Sequence, residues 1–260
     1  MPDQLIHRAA YRGHVVGLRR ELAAGVSPNE PDSVQHSLHC TPLFNLCLFG
    51  GIWPPVIDDE DYDEATAVTD YVECCRLLIE AGTDVNAINV NGDSVLTYAV
   101  QGARDHSVHG RRVTTPEVMQ VVEMLLAAGA NVNHRGCMSA TALHSAAAYT
   151  PVAVDRLIRA GAEVNVRDED DYTPLTSAME GLYGVPTQRS FPLLLRAGAD
   201  LPTEPGHPYL QAVVDAGGFA RYAQRHLATI TALFARTERL PPEMVRHVVG
   251  FWLHAGYYVY

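Results

Sequence analysis

Residues 141–165 read TALHSAAAYTPVAVDRLIRAGAEVN, and two short helices account for them. Over Ala142–Ala148 the small apolar residues Leu143, Ala146 and Ala147 fall on one face. Over Val152–Ala160 the residues Val154, Leu157 and Ile158 recur at i, i+3 and i+4, the spacing of a helical stripe. Gly161 follows, where a left-handed residue closes a helix and only glycine takes that backbone without strain. Neither helix can bury its stripe alone. The stretch therefore demands a neighbour of its own kind.

Such neighbours are present. The Asn that ends this stretch, Asn165, has counterparts at Asn29, Asn86 and Asn133, with Pro202 in the same place further on, at gaps of 57, 47, 32 and 37 residues. Five units open at Gln4, Thr41, Ser94, Thr141 and Thr173. Their shared pattern is near T-P-L-H-x-A-A-x-x-G-H followed by V-x-x-L-L-x-x-G-A-x-x-N. His7-Arg8-Ala9-Ala10-Tyr11-Arg12-Gly13-His14 fits it, as do Thr41-Pro42-Leu43, Thr141-Ala142-Leu143-His144 and Thr173-Pro174-Leu175. The closing signatures are Leu22…Gly25, Leu78-Ile79…Gly82, Leu125-Leu126…Gly129, Leu157-Ile158…Gly161 and Leu194-Leu195…Gly198. The pattern resembles the ankyrin repeat, whose period is about 33 residues.

That resemblance implies an all-α solenoid of stacked helix-turn-helix units with finger loops. Residues 1–202 hold about five repeats, 4–29, 41–86, 94–133, 141–165 and 173–202, and residues 203–260 form a helical C-terminal cap. The longer gaps become insertions between the two helices of a unit, near 51–69 and 101–115. The first insertion carries Asp58, Asp59, Glu60, Asp61, Asp63 and Glu64 around Tyr62, and reads either as a solvated loop or as an acidic peptide for a basic partner. The second carries Arg104, His106, His109, Arg111 and Arg112 against Asp105, so the two loops of adjacent units are expected to attract one another loosely.

In the family, fingers and first helices line a concave binding face. Carried over by position, this gives a groove of His36, His39, Ile88, Arg135, Met138, Arg167 and Tyr172 on the fingers, with Leu48, Phe49 and Tyr149 behind them. Leu48 and Phe49 either form a contact patch or pack under the first insertion. His36-x-x-His39-Cys40 could offer metal ligands, but no second cluster stands nearby in sequence, so a polar finger and no metal are expected. His144 takes the family's histidine position and is expected to bond within the framework. The terminal first helix is expected to expose His7, Arg8, Tyr11 and Arg12. Asp84-Val85-Asn86-Ala87 resembles the sequence that an oxygen-sensing asparaginyl hydroxylase modifies in many ankyrin proteins, which makes Asn86 a candidate for hydroxylation.

Composition bounds the rest. The chain has 260 residues, 47% hydrophobic and 19% charged, with a net charge of −11 that argues against nucleic acid as a partner. No basic-then-apolar leader opens the sequence and no apolar run nears the roughly 18 residues of a membrane span. Five cysteines without framework spacing fit a reducing setting, cytoplasmic or nuclear. No nucleophile elbow, phosphate loop or zinc-protease helix occurs, so a non-enzyme without cofactor, monomeric and bound to a protein partner, is expected.

The tail has two readings. Tyr209, Leu210, Val213 and Val214 suggest a sixth first helix, Gly217-Gly218 a turn and Phe219–Phe234 a longer helix. Met244, Val245, Val248, Val249 and Trp252 form a last stripe after Leu240-Pro241-Pro242-Glu243. This is a cap or, by its resemblance to the opening of an F-box and to the box of the suppressor-of-cytokine-signalling class, a ligase-binding module. On the second reading the protein would be a substrate receptor of a ubiquitin ligase. The Leu-Cys-Arg signature of the latter box is absent from Phe219–Phe234.

Overall fold

The computed structural model describes residues 3–32, 39–48, 69–101, 115–181 and 187–235. Twelve α-helices lie in this part of the chain: α1 Asp3–Tyr11, α2 Val15–Ala23, α3 Pro42–Cys47, α4 Tyr71–Glu80, α5 Val95–Gln101, α6 Thr115–Ala127, α7 Ala142–Tyr149, α8 Pro151–Arg159, α9 Pro174–Glu180, α10 Phe191–Arg196, α11 Pro208–Asp215 and α12 Phe219–Ala235. Short 3-10 turns occupy Cys137–Ser139 and Gln188–Ser190. Isolated β-bridges join His14 to Thr69 and Ile88 to Ser94. No strand occurs among the described residues, and the fold is all-α.

The helices pack in pairs, each odd helix against the even one that follows. Consecutive pairs then stack. In one layer α1 meets α3, α3 meets α5, α5 meets α7 and α7 meets α9; in the other α2, α4, α6, α8, α10 and α12 touch in order. The apolar stripes point between the layers. Ile6, Leu43, Leu96, Leu143 and Leu175, one near the start of each first helix, are all buried, as are Leu18, Leu78, Leu125, Leu157 and Leu194 of the second helices. They belong to one continuous core that runs from Ile6 to Val213. Ala146 and Ala147 have no exposed surface, and their small side chains let α7 lie between α5 and α9.

Each second helix ends the same way. Gly25, Gly82, Gly129, Gly161 and Gly198 have φ of 85, 82, 90, 92 and 93°. The next amide closes back on the helix: Ala162 N donates to Leu157 O at 3.0 Å, Ala130 N to Leu125 O at 3.0 Å and Ala199 N to Leu194 O at 3.0 Å, the bond of a Schellman cap. A Cβ on Gly161 would meet nothing within 4 Å. The cost of a side chain there is therefore purely backbone strain. Gly161→Ala is expected to lose about 1 kcal/mol in urea unfolding and Gly161→Asn less, since Asn tolerates the left-handed region; equal losses would show that something other than φ decides this position.

The second helix of a unit starts against the first helix of the preceding unit. Asp70 N donates to Gly13 O at 2.8 Å, Thr150 Oγ1 to Val100 O at 2.9 Å, Ser190 Oγ to Ala147 O at 2.8 Å and Thr187 Oγ1 to Ala148 O at 2.6 Å. Val100, Ala147 and Ala148 lie in the last turn of α5 or α7, where carbonyls have no partner within their own helix, and these contacts satisfy them; Gly13 lies in the turn after α1.

One expectation is corrected. His7 and Tyr11 are buried and Arg8 and Arg12 half-buried, because α1 is covered by both α2 and α3. The His7 Nδ1 lies 3.0 Å from Asn45 Nδ2 on α3. Terminal exposure falls instead on Leu5 and Val16. In the tail, α11 and α12 pack as a sixth pair with Leu210 and Val213 buried, but Val214 is exposed. Phe191 of α10 joins this pair to the stack: its ring centroid is 5.1 Å from His207 and 6.0 Å from Tyr209, which in turn meets Tyr222 edge-on at 5.3 Å. The stripe from Met244 to Trp252, the charged residues of both insertions and their expected attraction lie outside the described residues.

Candidate partner-binding fingers

The fingers stand on a ladder of asparagines. Asn29 Nδ2 donates to Gly82 O at 3.1 Å and its Oδ1 accepts from Asp84 N at 2.6 Å. Asn86 repeats this on Gly129 O and Asn131 N at 3.2 and 2.7 Å, and Asn133 on Gly161 O and Glu163 N at 3.0 and 2.8 Å. Asn165 does so on Gly198 O and Asp200 N at 3.1 and 2.9 Å. One side chain thus uses both ends of its amide to fix the next unit's closing turn. This is the physical reason for an Asn at the end of each of the first four units. The candidate hydroxylation position, Asn86, is one rung among four, with its amide engaged at both ends.

Beyond each rung the chain makes a narrow finger. Its base is closed by a backbone bond: Asp32 N to Cys40 O at 3.0 Å, Asn89 N to Asp93 O at 3.1 Å, Gly136 N to Ala140 O at 2.9 Å and Asp168 N to Tyr172 O at 2.9 Å. Asn89 and Asp168 also accept amides of their own turns. The tight turns force positive φ on residues that have a side chain: His39 at 49°, Met138 at 55°, Ser139 at 56° and Asp171 at 66°. Adjacent fingers hold one another. Cys137 N donates to Asp93 Oδ1 at 2.9 Å, His134 Nε2 meets Gly92 O at 2.7 Å and Glu169 N donates to Met138 O at 2.9 Å. Gly136 lies so close that a Cβ would come within 2.5 Å of Asp93 Oδ1.

The expected groove residues divide in four. Ile88, Met138 and Tyr172 are exposed at 54, 47 and 40%, each on a different finger, and Val90, which the sequence pattern did not single out, joins them at 59%. Val90 has the signal that would have found it: an apolar residue two places after Ile88 in a finger too short to bury both. Arg135 and Arg167 are on the fingers but partly committed, Arg135 to the Arg167 carbonyl and Arg167 Nη1 to Asp171 Oδ2 at 2.6 Å. Leu48 and Tyr149, at the ends of α3 and α7, are half-buried, and His39 is exposed. His36 and Phe49 lie outside the described residues.

His144 is buried and built into the framework. Its Nδ1 lies 3.1 Å from Thr141 N and 2.9 Å from Thr141 Oγ1, and its Nε2 lies 3.1 Å from Tyr172 O. Since the Thr141 amide must donate, Nδ1 accepts and the proton sits on Nε2. Burial lowers the His144 pKa below its ordinary value, and burial acts in the same direction on His14, His207 and His226. A histidine whose folded pKa lies below its unfolded one binds fewer protons when folded, so stability is full above the unfolded value near 6.5 and is lost as pH falls below it. The urea midpoint is expected to fall between pH 7.5 and 5.5, and to fall less in His144→Gln. An unchanged midpoint would mean that these histidines ionise without disturbing the fold.

Four cysteines, Cys40, Cys47, Cys74 and Cys75, are buried and unpaired, with the thiols of Cys40, Cys74 and Cys75 pushed up to about 12 by desolvation. Such thiols are poor nucleophiles. Among the described residues no three His, Cys, Asp or Glu group together as metal ligands, and no helix is long and apolar enough to cross a membrane.

No family model matches the chain. Over 129 residues, 47% of this chain, it is 30% identical to the B-cell lymphoma 3 protein homolog of Mus musculus. The aligned part is 26% of that relative, so the chain spans about a quarter of its length.

Proposed function

We propose that the chain is an ankyrin-repeat solenoid of five units, 4–29, 41–86, 94–133, 141–165 and 173–202, closed by a C-terminal helical cap, and that it is a non-enzymatic adaptor whose finger face holds a protein partner. The observation that carries this reading is the exposure of Ile88, Val90, Met138 and Tyr172 on three consecutive fingers that hydrogen bonds fix to one another. Large apolar residues exposed singly need no explanation, but a row of them on a rigid support suits a contact surface. The positive φ at Met138 adds to this, since backbone strain in a turn is kept where the side chain's placement matters. The partial relative carries ankyrin repeats, which supports the repeat assignment. The stacked contacts of both helix layers support it further.

The test compares proteins retained by the full chain with those retained by Ile88→Ser/Met138→Asn/Tyr172→Ser, which alters exposed positions only. Asn at 138 accepts the left-handed backbone. The triple variant is expected to keep its thermal unfolding and lose the partner by at least about tenfold, the effect of about 1.4 kcal/mol. Retention of the same proteins by both chains would move recognition off the fingers. A chain ending at Pro202, run beside them, reports on the ubiquitin-ligase alternative through loss of ligase scaffold proteins.

A further inference from the structure

The charges on the fingers carry the reading of this surface one step further. Residues 87–94, 134–141 and 166–173 contain five carboxylates, Asp93, Asp168, Glu169, Asp170 and Asp171, and two arginines, Arg135 and Arg167. Both arginines are exposed, and each also bonds a finger group, Arg135 a carbonyl and Arg167 the carboxylate of Asp171, so the carboxylates outnumber them on this face. Glu169 and Asp170 are exposed at the tip of the last finger. The Glu169 amide bonds the Met138 carbonyl at 2.9 Å, so this acidic tip borders the apolar row directly.

We infer that the partner presents a cationic, apolar segment: large apolar side chains over Ile88, Met138 and Tyr172, and Lys or Arg at the end that reaches Glu169 and Asp170. The inference rests on the finger face being the binding surface. Charge complementarity selects the occupant. Phosphates of a nucleic acid would meet a surface of their own sign, and a second copy of this chain would bring a net charge of −11 to a face already acidic. A cationic segment gains where these lose, and its apolar residues cover the row that water now meets.

The experiment presents a random dodecapeptide library to the full chain, sequences the retained peptides and titrates fluorescent copies of them against three proteins: the full chain, Glu169→Lys/Asp170→Lys and Ile88→Ser/Met138→Asn/Tyr172→Ser. Retained peptides are expected to be net positive with two or more large apolar residues. They are expected to bind each variant at least about tenfold more weakly and to weaken between about 50 and 500 mM salt. Neutral or acidic peptides that still fail on the apolar variant overturn this inference and leave the finger surface standing. Peptides held equally by all three proteins overturn both. An empty selection, or a dimer in sedimentation that Met138→Asn abolishes, overturns the cationic segment as the occupant.

Discussion

Phe191→Ala is expected to destabilise the protein by about 3–5 kcal/mol, the usual loss on truncating a buried aromatic side chain. Phe191 has no exposed surface, and it is the ring through which α10 meets His207 and Tyr209. The cavity would open between the stack and the α11–α12 pair. In a one-dimensional stack an interface can fail while the units on either side persist. The variant should therefore lose more than thermal stability: amides of Phe219–Ala235 should exchange with solvent well before those of α7 and α8. Phe191→Leu, which keeps most of the volume, should recover most of the loss. Uniform loss of protection across all helices would instead show that the sixth pair unfolds only with the whole.

The second large effect is expected at Asn133. Alanine there removes the bond to Gly161 O and the bond from Glu163 N, two intramolecular hydrogen bonds worth about 1 kcal/mol each, so about 2 kcal/mol in all. Aspartate keeps an acceptor for the Glu163 amide but has no donor for the Gly161 carbonyl, and should recover about half. Faster exchange of the Glu163 amide gives a local readout. A loss below about 0.5 kcal/mol, the range of ordinary surface substitutions, would reduce the ladder to a surface decoration.

What the sequence disclosed is what repeats. Helix stripes and closing glycines are local, so Leu157 and Gly161 announce themselves in any window that contains them; the second helix predicted over Val152–Ala160 is found at Pro151–Arg159. The apolar finger residues Ile88, Met138 and Tyr172 were legible because a short loop has no interior in which to hide them. What depends on a neighbour was not. His7 was expected in solvent since terminal units have an open side, yet the open side is the other one, and Asn45, 38 residues on, takes the His7 ring. Arg135 and Arg167 look like free cations in sequence; the approach of the next finger brings the Arg167 carbonyl to Arg135, and the turn of its own finger brings Asp171 to Arg167. The role of the terminal asparagines lies between these cases, since their period is plain but the carbonyls they hold are 28–53 residues away.

The place where each second helix begins has a consequence for how the chain tolerates change. Asp70, Thr150 and Ser190 dock on carbonyls of the preceding unit, so the re-entry point of the chain is set from outside the unit to which the helix belongs. What runs between the end of a first helix and that point needs only to span the gap. Each doubling of such a segment adds only about 0.6 kcal/mol of closure entropy. Length here is nearly free of the stack, and the 21 residues between Leu48 and Asp70, against the single Thr150 between α7 and α8, show the latitude that results. A new sequence could be grafted at these joints while the finger face, on the far side of the first helices' starts, keeps its register.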